Sequence, residues 1–172
     1  MTKKTSIIAG VVICIVVICA IYFMKDIKKT PVDILRSNFA DEPAPFRLST
    51  VIEQIDIDNK TTLVFYYTDN GGIANAILEK GLLGYKVVNY SGEVAPLNER
   101  ISTSLFFSSY GESKSIIWYV LYDQNITRVM VGGNEASIFT VDNLKMYYLL
   151  NDYAEPPPAE YYNGDELVWV IE

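Results

Sequence analysis

The chain has 172 residues, 50% of them hydrophobic, and a formal net charge of −7. That length supports one ordinary domain with a core of its own, and the acidic surface is repelled by nucleic-acid phosphates, which disfavours a DNA or RNA partner, so none is expected. There is no histidine, which removes the usual general base, the Ser-His and Cys-His dyads and the commonest zinc ligand together.

The first element in chain order is IIAGVVICIVVICAIYFM, residues 7–24, which carries no charged residue and is flanked by Lys3 and Lys4 before it and Lys25, Lys28 and Lys29 after it. As a helix it spans about 27 Å, close to the hydrocarbon thickness of a bilayer. No polar face exists to leave in water, so the segment is predicted to be a transmembrane helix. Its apolar core is long, and Ile18 gives the best small-x-small site a poor first position, so the segment is expected to stay as an uncleaved signal anchor. Both cysteines, Cys14 and Cys19, lie inside it. The rest of the chain therefore forms no disulfide and no thiolate zinc site.

TPVDILRSNF follows. Thr30 is a capping residue, Pro31 fits a first helical turn and Asp33 stands where a capping box places its acid, which predicts a short helix. Pro43 and Pro45 then impose a stiff extended connection. The expected division is 1–29 for tail, anchor and basic flank, 30–48 for helix and Pro-rich connection, and 49–172 for the folded domain.

From residue 49 the pattern is one of short β-prone runs separated by turn residues: 49–57, 61–67, 73–80, 85–90, 101–107, 115–122, 126–131, 136–141, 145–150, 159–162 and 166–171. The 13 tyrosines and 7 phenylalanines suit half-buried pleated surfaces. This spacing predicts a mainly β fold, an antiparallel sandwich-like or meander domain. Two turns stand out. TDNGG, at 68–72, lacks the lysine and hydroxyl residue of a phosphate loop and predicts a hairpin between Leu63–Thr68 and Ile73–Glu79. Asn163-Gly164 supplies positive φ for a tight turn between the last two strands.

Residues able to carry chemistry are few. Tyr110 and Lys114 have a reductase-like spacing but no dinucleotide fingerprint accompanies them. Asp56 and Asp58 lack the glycine and distal glutamate of a calcium loop and read as turn acids. No pair of carboxylates is singled out as the two catalytic acids of a glycosidase, so catalytic, metal and cofactor residues are expected to be none. The candidate partner-binding residues are aromatic: Tyr147, Tyr148, Tyr153, Tyr161 and Tyr162, close to the proline run 156–158.

The order of anchor, TPVD helix, LVFYY, LLGYKVV, YVLYDQNITRVMVGGNEA and the closing YYNGDELVWVI resembles the small single-anchor surface proteins of Firmicutes. That resemblance implies a bacterial membrane setting and a β-rich outer domain, with no activity to carry over; the EPPP run before the last hairpin departs from it. The expectation is thus a single-pass protein whose residues 7–24 meet the lipid bilayer and whose residues 30–172 lie on the extracytoplasmic side in a non-catalytic binding or structural role. The alternatives are a cell-envelope hydrolase using paired carboxylates and an accessory or immunity-type membrane subunit.

Overall fold

Local chemistry sets the first ordered turns as the sequence predicts. The Thr30 hydroxyl accepts from the Asp33 amide at 3.2 Å, and the Asp33 carboxylate accepts from the Thr30 amide at 3.0 Å. This reciprocal capping box, with proline in the first turn, starts helix α2 (Pro31–Asn38). The computed structural model describes residues 11–20, 29–43, 46–94, 106–110 and 114–171. Residues 11–20 form a helix, α1. The expected span 7–24 extends on both sides beyond the described residues, and among the described residues no helix is long and apolar enough to cross a membrane.

The remainder is β: β1 (Leu48–Asp56), β2 (Thr61–Thr68), β3 (Ile73–Gly81), β4 (Gly84–Val94), β5 (Phe106–Tyr110), β6 (Lys114–Val120), β7 (Arg128–Val131), β8 (Asn134–Glu135), β9 (Ser137–Val141), β10 (Leu144–Asn151), β11 (Ala159–Asn163) and β12 (Glu166–Ile171). Among the described residues all pairings are antiparallel, in three four-stranded sheets. The first sheet is the meander β1-β2-β3-β4, the second has the order β5-β6-β10-β9, and the third β12-β11-β7-β8.

TDNGG closes the hairpin β2-β3. The Thr68 amide donates to the Gly72 carbonyl at 2.8 Å, and Gly71 takes the positive φ of 80°. Asn163-Gly164 closes β11-β12, with Gly164 at φ 60°. One strand moves relative to expectation: β5 begins at Phe106 and runs on to Tyr110, while residues 101–105 lie outside the described set. Another was not foreseen. Gly132 and Gly133, both with positive φ, fold β7 back on the two-residue β8.

The layers follow from strand alternation. Along β6, Ile116, Trp118 and Val120 enter the core shared with Leu63, Phe65, Ile73 and Ile77 of the first sheet. Ile117 and Tyr119 enter the core shared with Val129, Val131, Ala159 and Tyr161 of the third sheet. The second sheet is therefore covered on both faces, which is why β6 has no polar phase between Ser115 and Val120. On the far face of the first sheet, α2 seats Leu35 and Phe39 against Val64, Tyr66, Ala74, Ala76 and Leu78. A buried polar link ties the first two sheets: Trp118 Nε1 donates to Ser91 Oγ at 3.2 Å, and Ser91 Oγ donates to Asn75 Oδ1 at 2.6 Å. Burying these polar atoms is tolerable because they satisfy one another.

Candidate functional site

The five tyrosines do not share a face. Tyr147 and Tyr161 are fully buried between the second and third sheets, their hydroxyls 2.8 Å apart and their rings edge to face at 5.8 Å. Burial disfavours the phenolate of each, pushing Tyr161 up to about 12 and Tyr147 further in the same direction. These two are core residues, out of reach of a partner in this fold. Tyr148 is half-buried on the other side of the second sheet, against Phe65 and Phe139.

Tyr153 closes over the β7-β8 turn. Its hydroxyl accepts from Asn134 Nδ2 at 2.6 Å and lies 3.1 and 3.2 Å from the carbonyls of Gly132 and Val131. The role is a clasp, and glycine at 132 is what makes room for it: a Cβ there would lie 2.8 Å from Tyr153 Cζ. Tyr162 alone of the five sits on the outward face of the third sheet. Its hydroxyl donates to Glu160 Oε2 at 2.6 Å, and the Arg128 guanidinium lies 4.4 Å from its ring centroid. The hydrogen bond to Glu160 favours the neutral phenol and raises its pKa.

Around Tyr162 the third sheet shows its most unusual surface. β12, ELVWVI, is the edge strand, and Leu167, Val168, Trp169 and Val170 are between 39% and 49% exposed. Trp169 rests on Tyr161 at 4.8 Å, and Val170 pairs with Glu160. A bulge lies between Tyr161 and Tyr162, opposite Leu167 to Trp169. Bulging at an edge re-aims side chains, and here apolar side chains appear at every position from Leu167 to Ile171. Acids border it, with Asp165 and Glu166 at its start and Glu172 following its end. An apolar edge of this kind is a template for an added strand unless something covers it. The site is legible in the sequence as a strand without a polar phase, and only the topology reveals it as an edge.

The carboxylates are committed locally. Asp58 accepts from the amides of Lys60 and Thr61 at 2.7 Å each and from the Thr61 hydroxyl at 3.1 Å, and these bonds hold its carboxyl below the usual range. Asp56 accepts from the Thr62 hydroxyl at 2.9 Å, and Glu79 pairs with Lys86 at 3.2 Å. Asp58 and Glu79 both line an open depression of about 490 Å³ with Lys60, Thr61 and Lys80. Among the described residues no group of three or more Asp, Glu, Cys or His is placed to hold a metal ion.

Comparison with known protein families, curated proteins and solved structures finds no match for the chain.

Proposed function

We propose that the chain is a single-pass membrane protein of a bacterial envelope. In this reading residues 7–24 span the bilayer, and the β layers lie outside the cytoplasm and act by binding, without catalysis. Support for the anchor comes from α1, where Val11, Val12, Ile13, Ile15, Val16, Val17 and Ile18 are each at least half exposed and none belongs to the three cores. Aliphatic side chains exposed on every face of a helix are stable in lipid and not in water.

The binding role rests on β12. None of the three cores needs Leu167, Val168 or Val170, yet each presents an aliphatic side chain beside a strand edge that is unpaired among the described residues. The occupant this edge fits is an extended segment of a partner protein, apolar at alternate positions and carrying Lys or Arg at its ends, added to the sheet as a further strand. A second copy fits poorly. A copy brings a net charge of −7 and the same acids, Asp165 and Glu166, at the start of its own β12, and so lacks the cations this edge calls for.

Purification in mild detergent tests the assignment. The partner should persist when residues 1–29 are exchanged for an unrelated anchor and be lost when Val168→Lys and Val170→Lys are introduced together. Loss on the anchor exchange, with retention in the double lysine variant, would move recognition from β12 to the membrane segment.

A further inference from the structure

The hairpin joining β3 and β4 ends in Gly81-Leu82-Leu83-Gly84, with the two glycines paired and the two leucines forming the whole turn. Leu82 is 97% exposed and Leu83 63%. Turns of this size ordinarily carry Asn, Asp or Gly. Here the backbone demand is met by Gly84, at φ 104°, so nothing in the local geometry requires leucine at 82 or 83.

The surroundings of this tip are basic and aromatic, although the chain is acidic. Residues 80–86, KGLLGYK, contain two lysines and no acid. Lys80 Nζ lies 5.7 Å from the Tyr85 ring centroid, and Lys86 is exposed and pairs with Glu79. The adjoining β1-β2 turn adds Lys60, whose carbonyl accepts from the Lys80 amide at 2.7 Å. Lys60, Lys80 and Lys86 outnumber the neighbouring acids Asp58 and Glu79, and an aliphatic tip with this net basic flank and a tyrosine has the chemistry of an interfacial membrane contact, apolar groups at the acyl boundary and cations at anionic headgroups.

We propose that the Leu82-Leu83 tip inserts into the interface of an anionic bilayer and forms a second, peripheral attachment that fixes the orientation of the anchored domain. The proposal rests on the anchored reading above. Only five residues separate Met24 from Thr30, a tether whose six steps span about 20 Å at full extension, so α2 is held near the surface. With the domain docked on its tip, the strand axes of the first sheet stand steeply to the membrane.

The test uses the full chain, with Cys14→Ser and Cys19→Ser, as the sole protein in proteoliposomes of mixed phosphatidylglycerol and phosphatidylcholine. An environment-sensitive fluorophore is placed at Asn59→Cys, on the turn beside the tip. A control label goes at Asn143→Cys, on the exposed β9-β10 turn, where Asp142 faces Tyr67 at the other end of the first sheet. Resistance to alkaline carbonate extraction reads the anchor separately. The expected result is quenching of the label at 59, and not at 143, by a lipid spin label near the headgroup. Leu82→Asp with Leu83→Asp should abolish that quenching, and pure phosphatidylcholine should weaken it. A chain that resists extraction but shows no quenching at 59, as it would if the tip were reserved for a protein, overturns the proposal. So does quenching unchanged by the two aspartates.

Discussion

β6 and β12 are close to interchangeable as strings: KSIIWYV and ELVWVI each open on a charge, contain one tryptophan and are otherwise mostly aliphatic. In the fold they are opposites. β6 lies between β5 and β10 with both faces covered, and Trp118 is fully buried; β12 lies at an edge, and Trp169 is 39% exposed. Position in the sheet order, and not composition, decides whether an aliphatic strand builds the core or faces the surroundings. The lesson for function is that β6 is explained by stability and β12 is not, so β12 is where a partner is to be sought.

Substitutions put this contrast at risk in order of size. Trp118→Ala, which also removes the donor to the buried Ser91 hydroxyl, should cost about 3–5 kcal/mol in chemical denaturation, whereas Trp169→Ala should cost about 1 kcal/mol, the worth of its contact with Tyr161. Equal losses would erase the distinction between the two strands. Gly132→Ala combines a positive φ with a collision against Tyr153, and should cost about 2 kcal/mol. Pairing it with Tyr153→Ala should recover part of the loss, because the collision goes and the backbone strain stays.

The buried tyrosine pair sharpens the account of the central layer. Tyr147→Phe or Tyr161→Phe alone leaves a buried hydroxyl without its partner and should cost about 1–3 kcal/mol, while the double variant should lie near wild type. Additive losses in a double-mutant cycle would show that the two hydroxyls do not depend on each other. The same pair sets an alkaline limit. Each phenol has a folded pKa raised above its unfolded value of about 10, so its contribution to stability is fully present below pH ~10 and falls as pH rises toward the folded value, about 12 for Tyr161 and higher for Tyr147. Titration of the melting temperature between pH 9 and 12 should show a decline that the double phenylalanine variant flattens. The smallest effect belongs to the helix: Thr30→Ala removes the capping box and should cost about 1 kcal/mol.

Much of the local architecture was legible from residues alone. The capped helix at Thr30, the TDNGG hairpin and the Asn163-Gly164 hairpin depend on φ preferences and hydrogen bonds within a few positions, and all three form as read. Which strand lies beside which was not legible. β6 neighbours β10 across 23 intervening residues, and nothing local to either strand encodes that pairing. The tyrosine cluster illustrates the same limit. Tyr147 and Tyr148 are adjacent in sequence but alternation sends them to opposite faces of a sheet buried on both, so proximity to the proline run said nothing about accessibility. The exposed leucines at 82 and 83 lay in plain view, since an aliphatic pair between two glycines is the wrong composition for a turn. Their significance depended on seeing that the turn is complete without them.

The central claim is that an apolar N-terminal helix holds a β domain on the outer side of a membrane. Protease added to intact protoplasts tests it most directly, with epitopes at the N-terminus and at the exposed β9-β10 turn. The account predicts that the turn epitope is lost or released while the N-terminal epitope stays protected in the membrane fraction. Full protection of the turn epitope until the membrane is permeabilised would contradict it.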